Sequence, residues 1–186
     1  GIRGGSATVH FPIWHQEIRD IIVLKNNKGT EDNRVRKLDY SIQLSELFYQ
    51  RFIDNGKITL FSPHDVAGLY DSFGTESFDE LYVKYENDDS IPKTQVDAQE
   101  LILDLLKERA ETGRIYIMNI DHCNSHSSFT DKVEMSNLCQ EITLPTKPVQ
   151  HIDDEHGEIA LCILSAINIG KIRDVQDLET LCDLSV

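Results

Sequence analysis

Val96-Asp97-Ala98-Gln99-Glu100-Leu101-Ile102-Leu103-Asp104-Leu105-Leu106-Lys107-Glu108-Arg109-Ala110-Glu111-Thr112-Gly113, running on into Arg114-Ile115-Tyr116-Ile117-Met118-Asn119-Ile120, is the stretch on which the fold class turns. Leu101, Leu105, Leu106 and Ala110 recur at helical spacing, which predicts an amphipathic helix over 96–112. Gly113 suits its end, because glycine takes the left-handed conformation in which helices stop. Residues 114–120 then become apolar and β-prone, which predicts a strand. A helix passed through a glycine into a buried strand is the unit of an α/β fold.

The same punctuation is readable on both sides. Gly1 to Gly5 is a glycine-rich loop, Pro12 suits the first turn of a helix, and Ile13, Ile18, Ile21, Ile22 and Leu24 continue that helix to Asn26-Asn27-Lys28-Gly29. A second helix is predicted from Tyr40 to Ile53, with Ile42, Leu44, Leu47, Phe48 and Phe52 as its apolar set. Lys57 to Phe61 predicts a short strand, Phe78 to Tyr85 a short helix, and Glu86 to Ser90 a solvated acidic link. Leu138 to Leu144 predicts an extended segment ending at Pro145. Ile159 to Ile169 is apolar nearly throughout and predicts a strand buried on both faces. Asp174 to Leu184 predicts a last helix. His10 and His15 read as ordinary helix-start residues, and Trp14 as core.

A chain of 186 residues, 40% hydrophobic, suffices for one domain. Its net charge of −14, from 32 acids and 18 bases, argues against a nucleic-acid surface, which needs clustered cations for phosphates. No apolar run approaches the roughly 20 residues that span a bilayer. Cys123, Cys139, Cys162 and Cys182 are irregularly spaced, which suits reduced or redox-active thiols and a cytoplasmic protein. The first residue is not Met, and Asp177 to Leu184 ends in mid-helix by its period, so both ends are expected to be cuts in a longer polypeptide.

Ser136-Asn137-Leu138-Cys139-Gln140-Glu141 carries the chemistry. In an extended segment Asn137, Cys139 and Glu141 share one face, about 7 Å between neighbours in the row. An amide can bind one hydroxyl and a carboxylate can take a proton from a second, which makes a vicinal diol the natural substrate. A carboxylate next to a thiol disfavours the thiolate by like-charge repulsion. Nucleophilic cysteines prefer cationic neighbours. Cys139 therefore suits hydrogen-atom chemistry by a neutral thiol or its radical better than thiolate attack. The plainer alternative is an edge strand with a chance Asn-x-Cys-x-Glu.

Ser136 to Ile142, followed by Leu144-Pro145-Thr146, resembles the finger loop of class I ribonucleotide reductase large subunits. Gly113 to Ile117 with Asp121-His122-Cys123-Asn124-Ser125-His126 resembles the strand entering that loop. Gly157 to Cys162 with Leu164 to Gly170 resembles the strand leaving it. Gly1 to Thr8, Val23 to Gly29, Leu60 to Pro63 and Tyr82 to Glu86 match as well, and the wording is nearest to bacteriophage forms of the family. The resemblance implies part of a ten-stranded α/β barrel threaded by a finger loop. Residues 1–186 would be a single partial domain, with 1–8 as a specificity loop and 113–170 as strand, finger loop and strand. It implies reduction of ribonucleoside diphosphates. Cys139 would be the thiyl radical that takes the 3′-hydrogen, Glu141 the base on the 3′-hydroxyl, and Asn137 the holder of the 2′-hydroxyl side. Cys162 would be one of two thiols that deliver electrons, its partner thiol not occupying any cysteine position of this chain. Arg3, with Gly4 and Gly5, would relay the identity of dNTP or ATP effectors. The implied partners are a small subunit whose dinuclear metal centre supplies the radical, the remainder of the large subunit, a second copy in a homodimer, and thioredoxin or glutaredoxin. No cofactor or metal is expected on this chain itself.

Two other classes fit parts of the sequence. One is a non-catalytic piece that only completes a split subunit. The other is a zinc or thiol protein using Cys139 or the Asp121 to His126 cluster, although that cluster lacks a second ligand pair at a usual spacing. His151, Asp153, Asp154, Glu155 and His156 read as a solvated turn, and Cys182 as a helix residue.

Overall fold

Three strands, β1 (Thr8–Pro12), β2 (Asp39–Leu44) and β5 (Ile115–Asn119), run parallel with β2 in the middle. His10 lies beside Ser41 and Ser41 beside Tyr116, while Phe11, Ile42 and Ile117 line up one residue later. Side chains alternate along each strand, so the two sheet faces differ in kind. One carries Tyr40, Ile42, Leu44 and Ile115, all buried. The other carries Thr8, His10, Ser41, Gln43, Tyr116 and Met118. Ser41 and Gln43 are only 0% and 1% exposed, and buried polar groups at such positions need hydrogen-bond partners.

The structure is a computed structural model that describes residues 2, 4–28 and 30–185. It resolves into two compact units, Gly1–Thr146 and Lys147–Val186. In the first, β2 and β5 are joined through α2 (Glu46–Ile53), β3 (Lys57–Leu60), α3 (Leu69–Ser72), α4 (Phe78–Glu86), β4 (Thr94–Asp97) and α5 (Ala98–Thr112). β3 and β4 pair antiparallel. The apolar sheet face, α2, α4 and α5 share one core with Trp14, Phe48, Phe61, Phe73, Phe78 and Tyr82. Its rings meet edge-on or tilted, with centroids 5.4 Å apart for Phe48 and Tyr82 and 4.6 Å for Phe73 and Phe78. Burying side chains of this size stabilises by about 1.5–3 kcal/mol each. At the rim Arg51 and Glu86 pair through two 2.6 Å bonds, and the Thr59 hydroxyl also donates to Glu86.

The predicted helix over 96–112 begins two residues late, because Val96 pairs with Ile58 in the β3–β4 ribbon. Asp97 caps it by accepting the Glu100 N–H at 2.9 Å, and Gly113 ends it at φ 64°. Leu101, Ile102 and Leu105 form its buried stripe, while Leu106 and Ala110 are exposed. Glu108 completes the stripe because Asn26 donates to both its oxygens, at 2.7 and 2.5 Å.

Five other expectations are corrected. Pro12 ends strand β1 rather than opening a helix, at a strand end where a missing N–H is tolerated. The helix expected after it shrinks to α1, Ile18–Ile21, and Gly29 lies outside the described residues. The helix predicted over 40–53 divides at Ser45 into β2 and α2, since Ser41 and Gln43 are buried strand residues and not the wet face of a helix. Glu86 belongs to α4 and is held by Arg51, while Asn87 to Ser90 are exposed. Residues 159–169 form no strand: Ile159, Leu161, Ile163 and Leu164 are 74–95% exposed. A strand exists by exchanging backbone hydrogen bonds with a neighbour, and among the described residues none pairs with this run. The second unit holds an antiparallel bridge between Lys147 and Glu158, a 3-10 turn at Ile169–Lys171 and helix α7, Val175–Ser185. The α/β class holds, with no closed barrel among the described residues. No described helix is long and apolar enough to cross a membrane.

Candidate active site

Strand β5 runs directly into a short helix, α6 (Ile120–Ser125). That helix fixes two other segments. Asp121 accepts the Glu46 N–H at 2.7 Å and so caps α2, whose own N-cap Ser45 makes no capping bond. Asn124 grips Val133 at both backbone atoms, accepting its N–H at 2.8 Å and donating to its carbonyl at 3.0 Å. From Val133 the chain turns back across the polar sheet face.

There the buried polar side chains find their partners. Gln43 donates to the Glu134 carbonyl at 2.6 Å. The His10 Nε2 lies 3.2 Å from the Ser136 carbonyl. Thr8 donates to the Leu138 carbonyl at 2.6 Å. Ser41 donates to Gln140 Oε1 at 2.6 Å, and Gln140 Nε2 donates to the Ile117 carbonyl, also at 2.6 Å. All three strands thus hold one irregular loop.

The loop tip is a turn, which corrects the expected extended geometry. The Gln140 N–H bonds the Asn137 carbonyl at 3.2 Å, the Asn137 N–H bonds the Ile142 carbonyl at 3.2 Å, and Gln140 has a left-handed φ of 64°. Asn137, Cys139 and Glu141 are therefore not a pleated row. The tip still presents Cys139 and Glu141 to solvent with Asn137 half-buried, because Gln140 takes the inward position between them. The Asn137 Oδ1 accepts the Ile142 N–H at 3.0 Å and lies 3.2 Å from the Ser136 hydroxyl. Among the described residues its Nδ2 meets no partner.

Two titratable groups surround the loop. Tyr116 stands on the polar face beside Ser41. Its hydroxyl is pushed above the ordinary phenol value by desolvation first, then by the neighbouring Cys139 and Asp39. His10 is pushed below the ordinary imidazole value by burial, which outweighs its hydrogen bond to Ser136. Among the described residues its buried Nδ1 has no hydrogen-bond partner. Sequence reasoning missed Thr8, His10, Ser41, Gln43, Tyr116 and Gln140 as the seat of this loop. The available signal was polar residues at alternate positions of a strand, Ser41 and Gln43.

The remaining predicted residues lie elsewhere. Cys162 is exposed in the second unit, and Cys182 is an exposed residue of α7. Gly4 and Gly5 are exposed with open space around them, and Arg3 lies outside the described residues. Cys123 is half-buried on α6, its thiol raised by burial and then by Asp121. Trp14 is fully buried, and residues 151–156 are a mostly exposed turn. Among the described residues no three His, Cys, Asp or Glu side chains converge on a metal-binding geometry. A cleft of about 540 Å³ between α2, α4 and α6 is lined by Glu46, Asp79 and Asp121, but by none of Asn137, Cys139 and Glu141.

Comparison with known proteins gives this loop a setting. The family described as ribonucleotide reductase, barrel domain, matches residues 1–186. The ribonucleoside-diphosphate reductase subunit alpha of Haemophilus influenzae is 59% identical over 180 residues, 94% of this chain and 24% of that protein. That of Buchnera aphidicola from Schizaphis graminum is 56% identical over 191 residues, 100% of this chain and 25% of that protein. The enzyme of bacteriophage T4 is 44% identical over the same coverage, 100% and 25%. The chain therefore spans about a quarter of the length of these relatives. A match along every residue, together with a thiol-bearing loop laid over a parallel sheet, leaves one conclusion: this chain belongs to the ribonucleotide reductase barrel-domain family.

Proposed function

We propose that this chain supplies the radical-bearing loop of a ribonucleoside-diphosphate reductase large subunit. Cys139, as a thiyl radical, takes the 3′-hydrogen of the substrate ribose, and Glu141 accepts the proton of the 3′-hydroxyl. Asn137 holds the 2′-hydroxyl side. Since its amide oxygen is occupied within the loop, the Nδ2 donor is the group left to meet a substrate oxygen. Cys162 is one of the two thiols that give electrons and end as a disulfide, which thioredoxin or glutaredoxin reduces again. Arg3, Gly4 and Gly5 relay effector identity. The radical comes from a separate small subunit with a dinuclear metal centre, and the working enzyme is a cytoplasmic homodimer of complete large subunits. Within it, residues 1–186 form a single central part of the barrel.

The observation that carries this is the placement of Cys139: solvent-facing, two residues from the Glu141 carboxylate, at the tip of a loop tied to three strands. A free, unconstrained thiol would have no use for such anchoring. The experiment is Cys139→Ser in an intact large subunit containing this chain, assayed with the small subunit. Deoxynucleotide formation should vanish, with nucleotide binding retained. Normal turnover by Cys139→Ser would refute the assignment.

A further inference from the structure

Gln140 sits where its own backbone least favours it. Its φ of 64° lies in the left-handed region that suits glycine, and no hydrogen bond of the turn requires a side chain there. A side chain retained at such a position points to a use for it. Here it has two. The carboxamide accepts from Ser41, a fully buried hydroxyl on β2, and donates to the backbone of Ile117 on β5, both at 2.6 Å. One amide thus bridges adjacent strands, and both of its polar ends are satisfied. Its neighbours in sequence are Cys139 and Glu141, which face outward while it faces the sheet.

We propose that Gln140 is a positioning residue: its Ser41–Gln140–Ile117 clamp fixes where the Cys139 sulfur and the Glu141 carboxylate stand. It rests on Cys139 being the reacting thiol. With the carboxamide pinned at two points, the Cα of Gln140 is restrained along and across the strands. The two functional side chains leave from the residues on either side and share that fixed origin. Thr8 and His10 hold the ascending limb at Leu138 and Ser136, whereas the clamp sits at the residue that adjoins both reacting groups. Placement of this kind matters because a displacement of an ångström can lower a rate by about a hundredfold.

The test has two readouts. In this chain, hydrogen exchange at the amides of Asn137, Gln140 and Ile142 should quicken about tenfold in Gln140→Leu and Ser41→Ala, the weight of one or two net hydrogen bonds. Amides of α5 should be unchanged. Gln140→Gly relieves the backbone conformation while deleting the clamp, and should loosen the loop without unfolding the unit. Ser41→Thr, which keeps the hydroxyl, should restore protection. In an intact large subunit carrying these residues, kcat should fall about a hundredfold in Gln140→Leu with KM unchanged, and Ser41→Thr should recover what Ser41→Ala loses. Unchanged exchange in Gln140→Leu would overturn the clamp. Faster exchange with normal kcat would overturn the positioning role while leaving Cys139 in place, provided Cys139→Ser is inactive. An active Cys139→Ser would overturn both, and is separately recognisable.

Discussion

Replacing Gly74 by alanine should be among the most damaging single changes in the first unit, although it adds only one methyl group. Gly74 has φ 87°, and an added Cβ would lie 2.7 Å from Ile120 Cγ1, 2.9 Å from Asn124 Nδ2 and 3.1 Å from the Ile120 carbonyl oxygen. The left-handed conformation costs an L-residue about 1–2 kcal/mol. Relief of the collision costs roughly 1–3 kcal/mol more, because one obstacle is backbone and Asn124 is committed to Val133. The total of about 2–5 kcal/mol is a large share of a typical domain stability of about 5–15 kcal/mol. With a urea m-value of about 2 kcal/mol/M, the midpoint should fall by roughly 1–2.5 M. Gly113→Ala and Gly68→Ala are the controls: both glycines have positive φ, 64° and 74°, but nothing lies within 4 Å of an added Cβ. They should show the conformational cost alone, about 1–2 kcal/mol. If urea unfolding finds Gly74→Ala no worse than Gly113→Ala, the close seating of α6 is refuted.

Glu86→Gln should cost about 3 kcal/mol at pH 7, because it leaves Arg51 without its paired charge at a mostly buried site. Burial raises the Glu86 carboxyl, but Arg51 and Thr59 outweigh it and hold it below the ordinary value. Its contribution is therefore present above about pH 4.3 and fades as pH falls through the lower folded value. The gap between the thermal melts of wild type and Glu86→Gln should narrow by pH 3, and a gap equal to that at pH 7 would remove Glu86 as its source. His10 has the opposite charge type but the same pH direction. Its folded value is lowered, so the neutral form favours the native state, and that stability is lost as pH drops below about 6.5. Exchange at the Ser136 amide, corrected for intrinsic rates, should accelerate below that pH and do so less in His10→Gln. A pH profile identical in the two proteins would acquit His10.

Helix α5 and strand β5 were legible because each is periodic and Gly113 separates them, and the aromatic α4 was legible for the same reason. Strand β2 was not. Ser41 and Gln43 are buried for a reason that lies more than ninety residues away, in a loop whose Glu134 carbonyl and Gln140 side chain accept from them, and local periodicity holds no record of that. Residue types named Asn137, Cys139 and Glu141 as candidates, but the turn that displays them depends on a left-handed glutamine, which no propensity anticipates. The run from Ile159 to Ile169 has strand composition, but among the described residues it has no strand to pair with, so composition alone misled there.

The Cys139 loop owes little to the covalent link that precedes it. Between Ser127 and Asp131 the chain is bent and mostly solvent-facing, whereas from Val133 onward it is stitched to α6, β2, β1 and β5 by side-chain hydrogen bonds. A protease cutting within residues 127–131 should thus leave a two-piece complex that stays together under native conditions and separates only in denaturant. Insertions at the same place should be tolerated, and the site is a natural one for opening new termini in a circular permutant.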